Sequence, residues 1–252
     1  MTTAARPTAP PRGSLLDRDT AMRLAATEYG RFLDQLRALD AAGWERPTDC
    51  RLWDVRAMAG HCLGMAEFAA SLPAFVRQNA VAGRRGGVFI DALTGLQVED
   101  QATLTPPQLL ARYAEVAQHA VRGRRRRSVL AGWLPMPSTE TVNGMPERWT
   151  FGYLFETILT RDTWMHRVDI ARATGRDLVL TPEHDGALVA DVVAEWAARH
   201  GSPHALTLAG PAGGRWTRGS GGPELELDAV EFCRVVSGRG DGEGLLGVEV
   251  PF

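Results

Sequence analysis

The residues best suited to chemistry lie in the segment T-R-D-T-W-M-H-R-V-D-I near the middle of the chain, which contains Asp162 and His166. If this segment is helical, the two side chains project from one face, because a helix turns every 3.6 residues. A carboxylate and an imidazole placed in this way can share one divalent cation, as the i, i+4 histidines of zinc proteases do. Two ligands are too few to hold a metal, and His61 in the upstream segment W-D-V-R-A-M-A-G-H offers a third.

The composition of the 252 residues is that of an ordinary globular protein, with 44% apolar and 23% charged residues. A net charge of −2 argues against general affinity for nucleic acid. No apolar stretch approaches the roughly 20 residues that span a bilayer, and no signal-peptide core is present at the start. We therefore expect a cytoplasmic protein with no nucleic-acid or membrane partner, either a monomer or a homodimer.

All 28 basic residues are arginine and none is lysine. Arginine codons are mostly GC-rich and lysine codons are not, so this usage favours a GC-biased genome and an actinobacterial source. It also excludes lysine as a Schiff base or general base within this sequence. The cysteines Cys50, Cys62 and Cys233 are odd in number and lack metal-type spacing, which predicts free thiols.

Hydrophobic spacing and capping residues divide the chain into elements. They predict helices over residues 16–42, 55–76, 105–121, 150–174, 181–200 and 228–237, and short strands at 205–208, 224–227 and 247–250. Residues 80–100 are predicted to be a long connection and residues 132–146 a loop. The expected fold class is mainly α with a smaller α+β part. The expected domains are a disordered tail (1–14), a metal-binding four-helix bundle (15–176) and a small C-terminal α+β domain (177–252).

Three segments together resemble a known family. The pattern W-x-R-P-T-D-C-x-x-W-x-V-R-x-M-x-G-H over residues 44–61 resembles the opening of the mycothiol-dependent maleylpyruvate isomerase family, within the DinB-like superfamily. The run R-D-T-W-M-H-R-V-D-I-A-R-A-T-G over 161–175 is similar to its metal-bearing fourth helix. The ending D-A-V-E-F-C-R-V-V-S-G-R-G over 228–240 is similar to its C-terminal domain, which has a sterol-carrier-protein-like fold.

The resemblance implies a site and its cofactors. A divalent metal, usually zinc, would be held by His61, Asp162 and His166, with mycothiol as cosubstrate. The founding isomerase has Glu where this chain has Asp162, which shortens the arm by one methylene. Arg239, in the C-terminal S-G-R, matches a position implicated in catalysis.

The implied chemistry follows from an open metal position. Two imidazoles and one carboxylate leave a fourth position free, as in catalytic zinc sites. A small thiol entering it would lose its proton and become a nucleophile at neutral pH. In the isomerase the thiolate adds to a conjugated double bond, the bond rotates and the thiolate leaves, whereas S-transferases would stop after addition. Arg239 would hold a substrate carboxylate or stabilise an enolate.

Other readings of the same residues stay open at this point. His61 alone fits a core histidine, and Asp162 with His166 fits a simple intrahelical pair. His119 is the reserve ligand, and Asp169 is more consistent with a partner of His166 than with a ligand. The alternative functions are a metal-dependent hydrolase or cyclase that needs no thiol, and a non-catalytic small-molecule-binding or stress-response module.

Overall fold

The computed structural model describes residues 9–252, so most of the predicted disordered tail lies outside the described residues. The helices are α1 (Arg18–Arg37), α2 (Ala41–Trp44), α3 (Val55–Ala70), α4 (Leu72–Arg85), α5 (Phe89–Gln101), α6 (Pro106–Ala131), α7 (Leu159–Thr174), α8 (Ala187–His200) and α9 (Ala229–Arg234). The strands are β1 (Glu140–Val142), β2 (Met145–Glu147), β3 (His204–Ala209), β4 (Gly214–Arg218) and β5 (Glu224–Asp228). The predicted fold class, mainly α with a smaller α+β part, is confirmed.

Contacts divide the chain into two compact units whose segments alternate along the sequence. One, which we call the α+β unit, comprises the described residues up to Asp17, together with Trp133–Arg161 and Val179–Phe252. The other, the helical unit, comprises Arg18–Gly132 and Asp162–Leu178. Residues 133–161, which the sequence assigns to the bundle, therefore group with the α+β unit. The predicted domain boundary at residue 177 remains a prediction.

The helical unit is built around α3, which packs against α5 and α6, while α1 packs against α6. Close packing depends on small residues, since a Cβ at Gly123 of α6 would stand only 2.1 Å from the carbonyl oxygen of Ala69. A buried ion pair joins α1 to α7, with Arg167 Nε donating to Glu28 Oε1 at 2.7 Å. The long helices α1, α3, α6 and α7 thus supply the framework for the site.

The segment that follows α3 differs from its prediction. The helix predicted to run to residue 76 ends at Ala70, because Ser71 takes an extended conformation and its hydroxyl caps α4. The predicted connection over 80–100 is wrong, since most of it is helix in α4 and α5. Its glycines suggested a loop, yet only Gly86 and Gly87 break the helices, at φ 74° and 75°. The helix predicted over 105–121 also continues further, to Ala131.

The α+β unit contains a three-stranded sheet of order β4-β3-β5, with β3 antiparallel to β4 and parallel to β5. Helix α9 packs against this sheet and against α8. Strand β4 lies between the strands predicted at 205–208 and 224–227, where the sequence predicted none. The strand predicted at 247–250 is wrong, because Gly247 ends a 3₁₀ turn and residues 248–250 belong to no strand. The predicted loop at 132–146 ends in a hairpin of β1 and β2, turned by Asn143 and Gly144 at positive φ.

Buried charges fix the interior of the α+β unit. Arg161 donates to Asp191 Oδ2 at 2.7 Å and to Glu195 Oε2 at 2.8 Å, and Tyr153 also donates to Glu195. All four side chains are buried. Burial without such pairing would cost several kcal/mol per charge, so removing one member of this network would leave an uncompensated buried charge.

Arg12 corrects the expectation of a tail disordered up to residue 14. Its backbone N–H donates to the carbonyl of Arg148 at 2.8 Å, and its carbonyl accepts from Thr150 N–H at 2.9 Å. The predicted disorder therefore does not extend to this residue. No helix among residues 9–252 is both long and apolar enough to cross a membrane.

Candidate metal centre

Two elements of the helical unit bring His61, Asp162 and His166 together. Helix α3 begins at Val55 because the carboxylate of Asp54 accepts from Ala57 N–H at 2.7 Å, and it carries His61 on a buried face. Helix α7 carries Asp162 and His166 one turn apart, as the spacing predicts. The ligand atoms of the three residues all lie within 4.8 Å of one another.

The distances suit one shared cation. His61 Nε2 lies 3.4 Å from each carboxylate oxygen of Asp162, and His166 Nε2 lies 3.3 Å from Asp162 Oδ1. Two atoms bound at about 2.0–2.1 Å to one tetrahedral zinc stand about 3.3–3.4 Å apart. Charge-assisted hydrogen bonds are shorter, about 2.7–2.9 Å. Asp162 Oδ2 is moreover buried without a hydrogen bond among the described residues. The three residues therefore fit a divalent ion.

Each histidine has its other ring nitrogen engaged. His61 Nδ1 lies 2.8 Å from Gln97 Oε1, and His166 Nδ1 lies 3.2 Å from Asp169 Oδ2. Both partners are fully buried. Metal-binding histidines nearly always hold their second nitrogen in this way, which orients the ring and directs the free nitrogen at the ion. Both Nε2 atoms face Asp162, as such a site requires.

Electrostatics couple the three side chains. Burial opposes ionisation of Asp162, but the neighbouring His166 and His61 outweigh it and hold the pKa of this carboxyl well below its ordinary value. Burial likewise opposes protonation of His166, but the carboxylate of Asp162 outweighs it and raises the pKa of this imidazole well above its ordinary value. The same carboxylate therefore favours both a proton and a cation at this position, and because metal ligands must be deprotonated, a metal ion held here would compete with protons.

The three side chains are enclosed to different degrees. The indole of Trp53 lies beside both imidazoles, with ring centroids 4.9 Å from His61 and 5.9 Å from His166. The histidine side chains expose 2% and 6% of their surface, but that of Asp162 exposes 18%. Asp162 is therefore the least enclosed of the three side chains.

A free thiol adjoins the site. Cys50 is half-buried, and its Sγ lies 3.9 Å from Asp169 Oδ2. Cys50, His166 and Asp169 form a second group whose ligand atoms lie within 4.8 Å of one another. This group shares His166 with the first, so it is a rival ligand set. Cys62 is buried, and burial followed by the charge of Asp162 raises the pKa of its thiol well above the ordinary value.

The remaining candidates belong to neither of these two groups. His119, the reserve ligand, is exposed on α6, where its Nδ1 pairs with Arg122. Arg239 belongs to the α+β unit, where it ends the π-helical segment Val235–Arg239 and its Nη1 lies 3.4 Å from Ser237 Oγ. Its role stays a prediction. Gln97 was missed by the sequence reasoning, because it lies in the segment predicted to be a connection.

Comparison with known proteins gives a consistent result. Residues 25–171, more than half of the chain, match the family model for the mycothiol maleylpyruvate isomerase N-terminal domain. A crystal structure of the mycothiol-dependent maleylpyruvate isomerase is similar at 17% identity and a TM-score of 0.55, covering 89% of this chain and 90% of that one. A variant of that isomerase with one histidine replaced by alanine is similar at 16% identity and a TM-score of 0.54, with the same coverage.

At these identities the likeness to solved structures shows the fold alone. No curated protein matches the sequence. The family match covers more than half of the chain and confirms the resemblance to this family. It includes the first of the three sequence segments and most of the second, whereas the segment at 228–240 lies outside the matched residues. This chain belongs to the mycothiol maleylpyruvate isomerase N-terminal domain family.

Proposed function

We propose that this protein is a metal-dependent enzyme that uses a low-molecular-weight thiol, mycothiol, to isomerise an electrophilic small molecule or to transfer the thiol to it. The observation that carries the proposal is the close group of His61, Asp162 and His166, with the buried Asp162 Oδ2 unsatisfied among the described residues, in a chain of this family. We propose mycothiol as the thiol because the chain belongs to a family described by a mycothiol-dependent isomerase.

In this proposal each side chain has one task. His61 and His166 would hold the ion through Nε2, and Asp162, whose carboxylate lies within 3.4 Å of both Nε2 atoms, would supply a negative charge. A divalent ion held there, zinc in our proposal, would lower the pKa of a coordinated thiol so that the thiolate forms at neutral pH. Trp53 lies beside the imidazoles and would limit access of water to them, and thiol and electrophile would approach on the side of Asp162, the least enclosed of the three ligands.

Arg239 is proposed to bind a carboxylate of the substrate or to stabilise an enolate as it forms. The support is its match to the S-G-R of the family's C-terminal domain. A guanidinium keeps its charge at every physiological pH, so Arg239 would serve as a fixed cation and not as a proton donor.

Isomerase and S-transferase activities differ only in whether the thiol leaves again. Incubation of the zinc-loaded protein with mycothiol and a conjugated cis-diacid such as maleylpyruvate distinguishes them by product. An isomerase returns the trans isomer with the thiol unconsumed, whereas a transferase yields a stable thioether and consumes one thiol per product. Turnover that is independent of thiol would contradict the proposal and favour a hydrolase or cyclase.

The first test is metal content, measured by elemental analysis of the purified protein. We expect about one divalent ion per chain, lost when His61→Ala and His166→Ala are combined. Cys50→Ser tests the rival ligand set, and His119→Ala is a control at an exposed histidine of the same unit. Both should keep the ion. A wild-type protein that takes up no zinc even when it is supplied would refute the metal site, and loss of the ion in Cys50→Ser would assign it to the rival set.

A further inference from the structure

A row of buried amides lies behind His61, on the side away from Asp162. Gln97 of α5 contacts His61 Nδ1 through Oε1 at 2.8 Å, and its Nε2 donates to Gln78 Oε1 at 2.8 Å. Gln78 of α4 in turn donates through Nε2 to the backbone carbonyl of Gly64 at 3.1 Å. The relative exposure of Gln97 is 0% and that of Gln78 is 3%. The row therefore links α4 and α5 to α3; these two helices form the crossover between α3 and α6.

The end of the row fixes the direction of every hydrogen bond in it. A backbone carbonyl can only accept, so the atom of Gln78 that faces Gly64 must be its NH₂ group. Gln78 Oε1 then faces Gln97 and must accept from the Gln97 NH₂ group. Gln97 Oε1 is left for His61, and because this oxygen can only accept, the proton must lie on His61 Nδ1.

A second contact supports the same orientation of Gln97. Its Nε2 also lies 2.9 Å from the thioether sulfur of Met65, which is a weak acceptor and cannot donate. Both hydrogens of the Gln97 NH₂ group are thus engaged, one by Gln78 and one by Met65. Rotating the Gln97 amide by half a turn would place its Oε1 against Gln78 Oε1 and the sulfur of Met65, neither of which can donate. It would also leave a buried N–H of the amide without an acceptor.

We propose that Gln97 and Gln78 are positioning residues that lock His61 in the tautomer with its proton on Nδ1 and its lone pair on Nε2. This inference rests on the proposed metal site, because Nε2 is the atom that faces Asp162. It also explains why a neutral amide stands behind His61, whereas a carboxylate, Asp169, stands behind His166. A glutamine gives orientation without adding a further negative charge beside Asp162.

Zinc affinity of matched variants tests the role of Gln97. In Gln97→Leu the His61 N–H loses its acceptor, so we expect zinc affinity, measured by competition with a chelator, to fall about 10- to 100-fold. Gln101→Leu is the control, because Gln101 is a buried amide one turn further along α5 whose Nε2 donates to Glu67 instead. It should keep wild-type affinity. Equal affinity of Gln97→Leu and the wild type would overturn the proposal.

The proton on His61 can also be located without any substitution. Long-range ¹⁵N–¹H spectra of histidine-labelled wild-type protein distinguish protonated from bare ring nitrogens, both with zinc and in the metal-free protein at alkaline pH. We expect hydrogen on Nδ1 in both samples, and hydrogen on Nε2 would overturn the proposal. If the wild type binds no zinc, the proposed function fails, but the metal-free spectrum still decides whether the amide row sets the tautomer.

Discussion

Replacing Gly64 by alanine should damage both the packing of α5 and the metal centre. A Cβ at Gly64 would stand 2.6 Å from Gln97 Cβ, 2.7 Å from Gln97 Cγ and 3.2 Å from Gln97 Cα. Rotation of the glutamine side chain relieves only the contact with Cγ, because Cβ and Cα move with the backbone. The added methyl group must therefore push α5 away from α3, and Gln97 away from His61.

The geometry sets the size of the effect. Carbon atoms in contact rest about 3.5–4.0 Å apart, so the helices must separate by about 1 Å. Overpacking of this kind costs about 1–3 kcal/mol of unfolding free energy. Because the backbone of α5 must move at Gln97, we expect a cost at the upper end of that range. Alanine recovers about 1 kcal/mol of helix propensity relative to glycine. The net loss of about 2 kcal/mol lowers Tm by about 4–8 °C for a protein of this size.

Gly60, one turn earlier on the same face of α3, provides the control. A Cβ there meets its nearest atom, Gln101 Cβ, at 3.2 Å, so a shift of a few tenths of an ångström suffices. The gain in helix propensity offsets that cost, and Gly60→Ala should melt close to the wild type. Thermal unfolding and chelator competition on both variants measure the two effects. If Gly64→Ala matches Gly60→Ala in Tm and in zinc affinity, the close approach of α3 and α5 does not hold Gln97 in place.

Three further outcomes are expected. Burial opposes protonation of His166, but Asp162 outweighs it and raises the pKa of this imidazole, so zinc binding near neutral pH should release a proton and zinc affinity should increase with pH. Calorimetry in buffers of different ionisation enthalpy measures the number of protons released, and a value of zero would contradict this expectation. Arg239→Ala should reduce turnover while zinc content stays unchanged, and full turnover would remove Arg239 from the mechanism. Burial opposes ionisation of Glu195, but Arg161 and Arg199 outweigh it and hold its pKa below the ordinary value of about 4.3. The ionised carboxylate of Glu195 therefore stabilises the folded protein above that value, and this contribution is lost as pH falls through the lowered pKa. In Glu195→Gln the unfolding free energy should fall less steeply with decreasing pH than in the wild type, and an equal slope in the two proteins would contradict this.

The sequence predicts some helix ends and the juxtaposition of Asp162 with His166, for a physical reason. Helical periodicity and capping act over one or two turns, so the start of α3 and the end of α7 at Gly175 (φ 65°) can be inferred from nearby residues. Asp162 and His166 share a turn, and their juxtaposition needs no tertiary information. Placing His61 opposite them required the family resemblance, because no local rule links residues a hundred positions apart.

The crossover could not be predicted in the same way. Glycines at 83 and 95 lie inside helices, where tertiary packing overrides their low helix propensity. Since α5 was predicted to be a connection, Gln97 could not be placed on a helix face or paired with His61. One signal was present in the sequence: Gly60 and Gly64 are four residues apart on the helix that carries His61, a spacing that opens one face to a close neighbour.

In this arrangement, zinc binding to the site and the folding of α5 in the crossover are thermodynamically coupled. If ordered α5 is needed to hold His61 in the metal-binding tautomer, then loosening α5 must weaken zinc binding. By linkage, bound zinc must stabilise α5 to the same degree. A ligand at about 100 times its dissociation constant adds about 2.7 kcal/mol to the folded state. Zinc should therefore slow amide hydrogen exchange in α5 (Phe89–Gln101) as well as in α3 and α7. Protection gained only in α3 and α7 would mean that the ligands are held without the crossover, and that Gln97 is a packing residue.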